Sequence, residues 1–166
     1  MKGVILYKSK YGSTKQFSEW LQEDIGFDIF EISDAPADFA QYNIIVIGSS
    51  IHGGMLSLRQ WIIHHWESIK DKKVILMLTS GTSNEQFIRK TIEKSLPKHI
   101  RTHIKLFPIG GRYLFKSMSF FDRNIIKIVA FFTKHPATKK GMLTERDDVR
   151  HDNIQGLIHF ITHEQT

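Results

Sequence analysis

The sequence contains no cysteine. That excludes disulfides, thiolate metal sites and a cysteine nucleophile together, and it removes any argument for an oxidising compartment. Long apolar runs are also missing, since none approaches the roughly 20 residues a membrane-spanning helix needs. The chain opens with a single Lys2 and a short strand-like run, without the basic-then-apolar pattern of a leader. A cytoplasmic location is therefore expected. Acid is missing locally as well. From Lys94 to Phe121 there is no Asp or Glu, while Lys94, Lys98, Arg101, Lys105, Arg112 and Lys116 are all basic.

That stretch accounts for much of the imbalance between 23 Lys and Arg and 17 Asp and Glu, a net charge of +6. A one-sign stretch favours an anionic partner such as nucleic acid, an acidic membrane face or a carboxylate-bearing small molecule, or else forms a plain solvated face. Interleaved base-stacking aromatics and a helix-turn-helix spacing are both lacking, so nucleic acid is not expected. No metal site is expected either: among the nine histidines, the adjacent pair His64 and His65 would point to different sides of a helix.

What is present fits one domain spanning residues 1–166. Apolar residues make up 41% and charged residues 24%, as in ordinary globular proteins. A chain of this size buries about 70% of its unfolded surface without covalent staples. Apolar, β-branched runs at Gly3–Tyr7, Phe27–Ile32, Ile44–Ile47, Val74–Leu78 and Ile104–Ile109 read as five strands. Segments with helical apolar spacing lie between them, for example Phe17, Trp20, Leu21 and Ile25. Strands alternating with helices imply crossover connections and a parallel sheet. The runs at Ile44–Ile47 and Val74–Leu78 do not alternate with polar residues, as expected of strands covered on both faces. The predicted fold is a doubly wound α/β sandwich.

Two more helices are expected near the end, at about Ser119–Thr133 and His151–His163. The polar segment from Lys134 to Asp152 should be a long connection. The first of these helices is apolar over a wide arc, with Phe120, Phe121, Ile125, Ile126, Ile128, Val129, Phe131 and Phe132. Packing on the sheet is the first expectation for it, with exposure to a membrane or a partner as the alternative.

In a doubly wound sheet, ligands bind beyond the carboxyl ends of the strands where the strand order reverses. Three segments there are rich in glycine and hydroxyls: Ser9–Thr14, Gly48–Met55 and Thr79–Asn84. In the first, Ser9, Ser13 and Thr14 offer hydroxyls and Gly12 allows close backbone approach. The helix that follows aims its free N–H groups at the same point. The loop carries no acid. It has neither the nucleotide-triphosphate P-loop spacing nor the three-glycine dinucleotide fingerprint, which leaves a single phosphate, or a capped helix start holding nothing.

The Ser-x-x-Gly-x-Thr pattern of Ser9–Thr14 resembles the flavin mononucleotide (FMN) phosphate loop of flavodoxins. Gly48-Ser49-Ser50-Ile51-His52-Gly53-Gly54 resembles their segment beside the flavin ring. More narrowly, "VIGSSIHGGML" and "GGRYLFKSMSFFDRNIIKIVAFF" resemble the flavodoxin-type, quinone-dependent protoporphyrinogen oxidases, although the loop Thr79–Asn84 is short where that group carries an insertion. The resemblance implies a five-stranded parallel sheet of order 2-1-3-4-5 and FMN as cofactor. It places Ser9, Lys10, Tyr11, Gly12, Ser13 and Thr14 on the phosphate. Ser50, Ile51, His52, Gly53 and Gly54 would line the ring, and Thr79, Ser80 and Gly81 would form the third loop. Arg112, Tyr113 and Lys116 would make a basic, aromatic rim suited to an anionic planar substrate or a quinone, with peripheral membrane contact in view. The redox chemistry would be borne by the flavin, so no catalytic side chain is expected. An electron carrier for a protein partner and a non-enzymatic binding module remain as alternatives. Electron-shuttling flavodoxins are typically acidic, and this chain is basic.

Overall fold

A computed structural model describes residues 2–134 and 136–163. Met1, His135 and residues 164–166, which fall within the expected domain and connection, lie outside the described residues. The five main strands are β1 (Gly3–Tyr7), β2 (Asp28–Glu31), β3 (Ile44–His52), β5 (Lys73–Thr79) and β6 (Lys105–Gly110), with the short β4 (Met55–Leu56) between them in sequence. They pair in parallel in the order β2-β1-β3-β5-β6. Counting parallel strands alone, this is the expected 2-1-3-4-5. The extra label belongs to β4, which folds back antiparallel on β3.

Helices cover both faces, which is why the central strands are apolar without alternation. On one side α1 (Ser13–Ile25) and α7 (Gln155–His163) set Phe17, Leu21, Leu157 and Ile161 against Ile5, Val46, Ile75 and Met77. On the other, α2 (Arg59–Ile69) and α3 (Glu85–Ser95) set Ile62, Trp66 and Ile88 against Leu6, Ile47 and Leu76. Local signals fix the helix ends. α1 stops at Gly26, whose φ of 68° few side chains tolerate. α3 starts at Asn84, whose side chain accepts from the Phe87 N–H at 2.9 Å.

Four expectations need correction. The second loop is mostly strand: β3 continues through Ser49, Ser50, Ile51 and His52 before the chain reverses at Gly53-Gly54. Its hydroxyls look like loop residues in sequence, yet they are consumed within the hairpin. The segment from Lys134 to Asp152 is not only connection. It holds α6 (Pro136–Leu143) and β8 (Arg146–Asp147), the latter paired with β7 (Arg112–Tyr113). That pairing depends on a partner far away in sequence, so no local periodicity announces it. Finally, α5 (Phe120–Phe132) does not pack on the sheet, because α1, α7, α2 and α3 already occupy its faces. Among its residues only Ala130 is buried. The expected helix from His151 is also divided, opening with a 3-10 turn at His151–Ile154 before α7.

Candidate functional site

The register of the sheet brings the three loops together. Tyr7 of β1 lies beside Gly48 of β3, and Ser50 of β3 beside Thr79 of β5, so the ends of β1 and β5 flank β3, which runs on to His52. β1 and β3 are the neighbours whose connections leave toward opposite sides, the switch point of the fold.

The first loop leaves β1 with the Lys8 N–H bonded to the Gly48 carbonyl at 3.1 Å. It turns at Gly12, whose φ of 88° is left-handed. No side chain among the described residues caps α1 there. The first helical bond is from the Gln16 N–H to the Gly12 carbonyl, 3.0 Å. The N–H groups of Ser13, Thr14 and Lys15 precede it and have no partner within the helix. The Gly12 N–H itself donates to the Ser9 hydroxyl at 3.1 Å, which shapes the loop.

Thr14 and Thr79 join this loop to the third through a buried hydroxyl–hydroxyl bond of 2.8 Å. The bond crosses over Gly48, where an added Cβ would stand 3.0 Å from the Thr14 methyl. Next to it, the Ser49 and Ser50 hydroxyls both bond Ser57, at 3.1 and 3.3 Å, and fasten the hairpin. The hairpin tip, Gly53-Gly54, has left-handed φ values of 57° and 73°. An added Cβ at Gly12, Gly53 or Gly54 would meet nothing within 4 Å, so the tip and the first turn face open space.

The end of β6 completes the surround. The Ser80 N–H donates to the Gly110 carbonyl at 3.0 Å, and the Arg112 N–H to the Ser13 hydroxyl at 3.2 Å. Tyr113 lies on Gly81, where a Cβ would come within 2.7 Å of its own. Burial raises the Tyr113 hydroxyl above the usual tyrosine range. The Arg112 guanidinium turns to Asp147, 2.9 Å away. Lys116 projects an exposed side chain while its N–H donates to Glu145 at 2.9 Å.

Asp122 lies in the first turn of α5. In the fold its carboxylate accepts from Lys10 Nζ at 2.6 Å and from the Tyr11 hydroxyl. His52 Nε2 stands 3.5 Å from its other oxygen. The first loop therefore does meet an acid, but one delivered by α5. The hydrogen bond from Lys10, followed by that from Tyr11, holds the Asp122 carboxyl far below the usual carboxylate range. The Lys10 ammonium is raised in return, chiefly by the same bond. One signal in sequence singles Asp122 out: it is the lone acid between Lys94 and Thr144.

A cavity of about 1010 Å³ lies between α3, β6 and the short helix α4 (Lys98–Arg101). It is lined by Ile88, Ile92, Leu106 and Pro108 and touches the loops at Ser80, Gly81 and Gly110. Its position on the α3 side separates it from the Ser9–Thr14 turn, where the uncapped amides are. Those amides, with the Ser9 hydroxyl and Lys10, form a donor set suited to a phosphate monoester, and the open glycine tip leaves room for a flat ring. The residues present thus fit FMN.

Similar solved structures include a flavoprotein in complex with FMN from Lactobacillus acidophilus, 17% identical, covering 66% of this chain and 91% of that one, TM-score 0.49. An oxidised flavodoxin 2 from Bacillus cereus is 17% identical over 65% of this chain and 84% of its own, TM-score 0.45. A flavo di-iron protein from Thermotoga maritima is 10% identical and covers 98% of this chain and 35% of that one, TM-score 0.51, a likeness of fold. A search of curated proteins gave no match. The flavodoxin domain matches residues 4–140, nearly the whole sheet and all three loops, and the chain belongs to that FMN-binding family.

Proposed function

We propose that the chain is an FMN-dependent oxidoreductase of the flavodoxin type. The observation that carries this reading is the convergence of an uncapped helix start, two hydroxyl-rich strand ends and an open diglycine tip at one switch point. Ser9, Lys10, Tyr11, Gly12, Ser13 and Thr14 would hold the phosphate, chiefly through the backbone amides of α1, since the Thr14 hydroxyl is engaged with Thr79. Ser50, Ile51, His52, Gly53 and Gly54 would flank the ring, and Thr79, Ser80 and Gly81 would close its far side. Bound there, FMN supplies the capacity to accept electrons from one partner and pass them to another. The chain's residues orient the cofactor, keep water from one face and set the charge around it.

The finer reading is protoporphyrinogen oxidation with a quinone acceptor. Its support is the resemblance of the segment from Gly110 to Phe132 and the rim of Tyr113 and Lys116 beside the loops. Two measurements test these levels separately. Titration with FMN should quench flavin fluorescence, and Ser13→Ala should weaken binding by about 1–3 kcal/mol through a lost bond to a charged group. A protein that leaves FMN fluorescence unchanged overturns the whole reading. With FMN bound, oxidation of protoporphyrinogen by a menaquinone analogue supports the finer one. Reduction by a flavodoxin reductase without turnover of any small molecule replaces it with an electron carrier.

A further inference from the structure

α5 is mounted with its apolar side outward. Its inner side is small and polar: Asp122 is pinned to Lys10 and Tyr11, Ser119 caps the helix at 3.2 Å from the Asp122 N–H, and Ala130 is buried. On the outer side Phe120, Phe121, Ile125, Ile128, Phe131 and Phe132 are between 58% and 79% exposed. A contiguous patch of that kind marks an interface, whereas ordinary surface residues of this type are scattered.

The helix has 13 residues, about 20 Å in length, too short for a hydrocarbon core of about 30 Å. No helix among the described residues is long and apolar enough to cross a membrane. The charge around the patch is mostly positive, with Glu145 at the Lys116 N–H as an acid at its edge. Lys116, Lys127, Lys134 and Lys140 are exposed near it, and between Lys94 and Thr144 the lone acid is Asp122. Asp122 is itself mostly shielded and neutralised by Lys10. Two copies meeting through α5 would set these lysines against one another, at a cost in repulsion. An anionic lipid surface pairs with both features, the apolar ridge and the basic margin.

We propose that α5 is an interfacial helix that docks the protein on anionic bilayers, with its phenylalanines and isoleucines in the acyl boundary and its lysines at the headgroups. The docking does not depend on the flavin reading, and a protein that bound no FMN would still show it. The test is co-sedimentation of the full chain with vesicles of phosphatidylcholine alone or with phosphatidylglycerol. Binding to the phosphatidylglycerol vesicles is expected, with a loss of at least about tenfold in Phe121→Glu/Phe132→Glu. Each of Lys127→Gln and Lys134→Gln should cost about fivefold, and high salt should mimic them. The substituted side chains are exposed, so unchanged circular dichroism would show that folding survives. Absence of sedimentation with either vesicle overturns the proposal, as does binding that the double variant leaves intact. A dimer in light scattering that the double variant abolishes, without lipid binding, assigns the ridge to a second copy and overturns it equally.

Discussion

The hydroxyls of Thr14 and Thr79 are bonded to each other at 2.8 Å across the strand that separates them. Residues 65 positions apart thereby connect the turn after β1 to the end of β5, and the Thr79 hydroxyl also reaches the Ser49 carbonyl at 3.5 Å. Thr14→Val keeps the shape and removes the bond. It should destabilise the fold by about 1–3 kcal/mol, the cost of an unmade buried bond, as read by chemical denaturation. A double cycle with Thr79→Val should return a coupling of at least about 0.5 kcal/mol. Additive effects would mean that the two hydroxyls act independently.

Gly48 is where this crossing requires the smallest residue. A Cβ there would stand 3.0 Å from both the Thr14 methyl and Tyr7 Cβ, and 3.1 Å from the Ser18 hydroxyl. Gly48→Ala should cost about 1–3 kcal/mol through overpacking and should also weaken FMN binding by displacing the start of α1. A variant as stable as the parent would show that the crossing has slack.

The ion pair of Asp122 with Lys10 sets a pH dependence. The folded carboxyl titrates well below its ordinary value, so its contribution is present above the unfolded value of about 4 and is lost as pH falls through the folded one. The stability gap between the parent and Asp122→Asn should therefore shrink progressively below about pH 4. Denaturation curves of both proteins between neutral pH and acid would measure it. A gap that stays constant would mean that the carboxylate contributes nothing through charge.

Tyr42 predicts the opposite limb. It is buried and donates to Asp28 at 2.7 Å, and burial followed by that hydrogen bond pushes its hydroxyl up to about 12. A raised value favours the protonated form in the fold. The contribution is complete below the unfolded value of about 10 and is lost as pH rises toward the folded one. Over that window the parent should lose stability faster than Tyr42→Phe, with equal slopes counting against the assignment.

Much of the architecture was legible because burial on both faces leaves a direct trace. The uninterrupted runs at Ile44–Ile47 and Val74–Leu78 became central strands, and the three hydroxyl-rich segments converge at one end of the sheet. What stayed hidden depends on distant partners. Asp122 meets Tyr11 across 111 positions, and β8 exists through its pairing with β7. The outward mounting of α5 was hidden for a different reason. Periodicity reports that a helix has an apolar side, and only the occupancy of the sheet decides whether that side finds a place in the core. Arg112 shows the same limit, since its basic charge was visible and its engagement with Asp147 was not.

The diglycine hairpin is held from behind. The buried N–H of Leu56, two residues past Gly54, donates to the hydroxyl of Ser95 at 3.0 Å, at the last residue of α3. The tip proposed to flank the flavin is thus tied to the end of α3, the helix that also lines the cavity along β6 through Ile88 and Ile92. Removing the Ser95 hydroxyl would leave the Leu56 N–H without that partner and loosen the hairpin while every residue at the loops stayed the same.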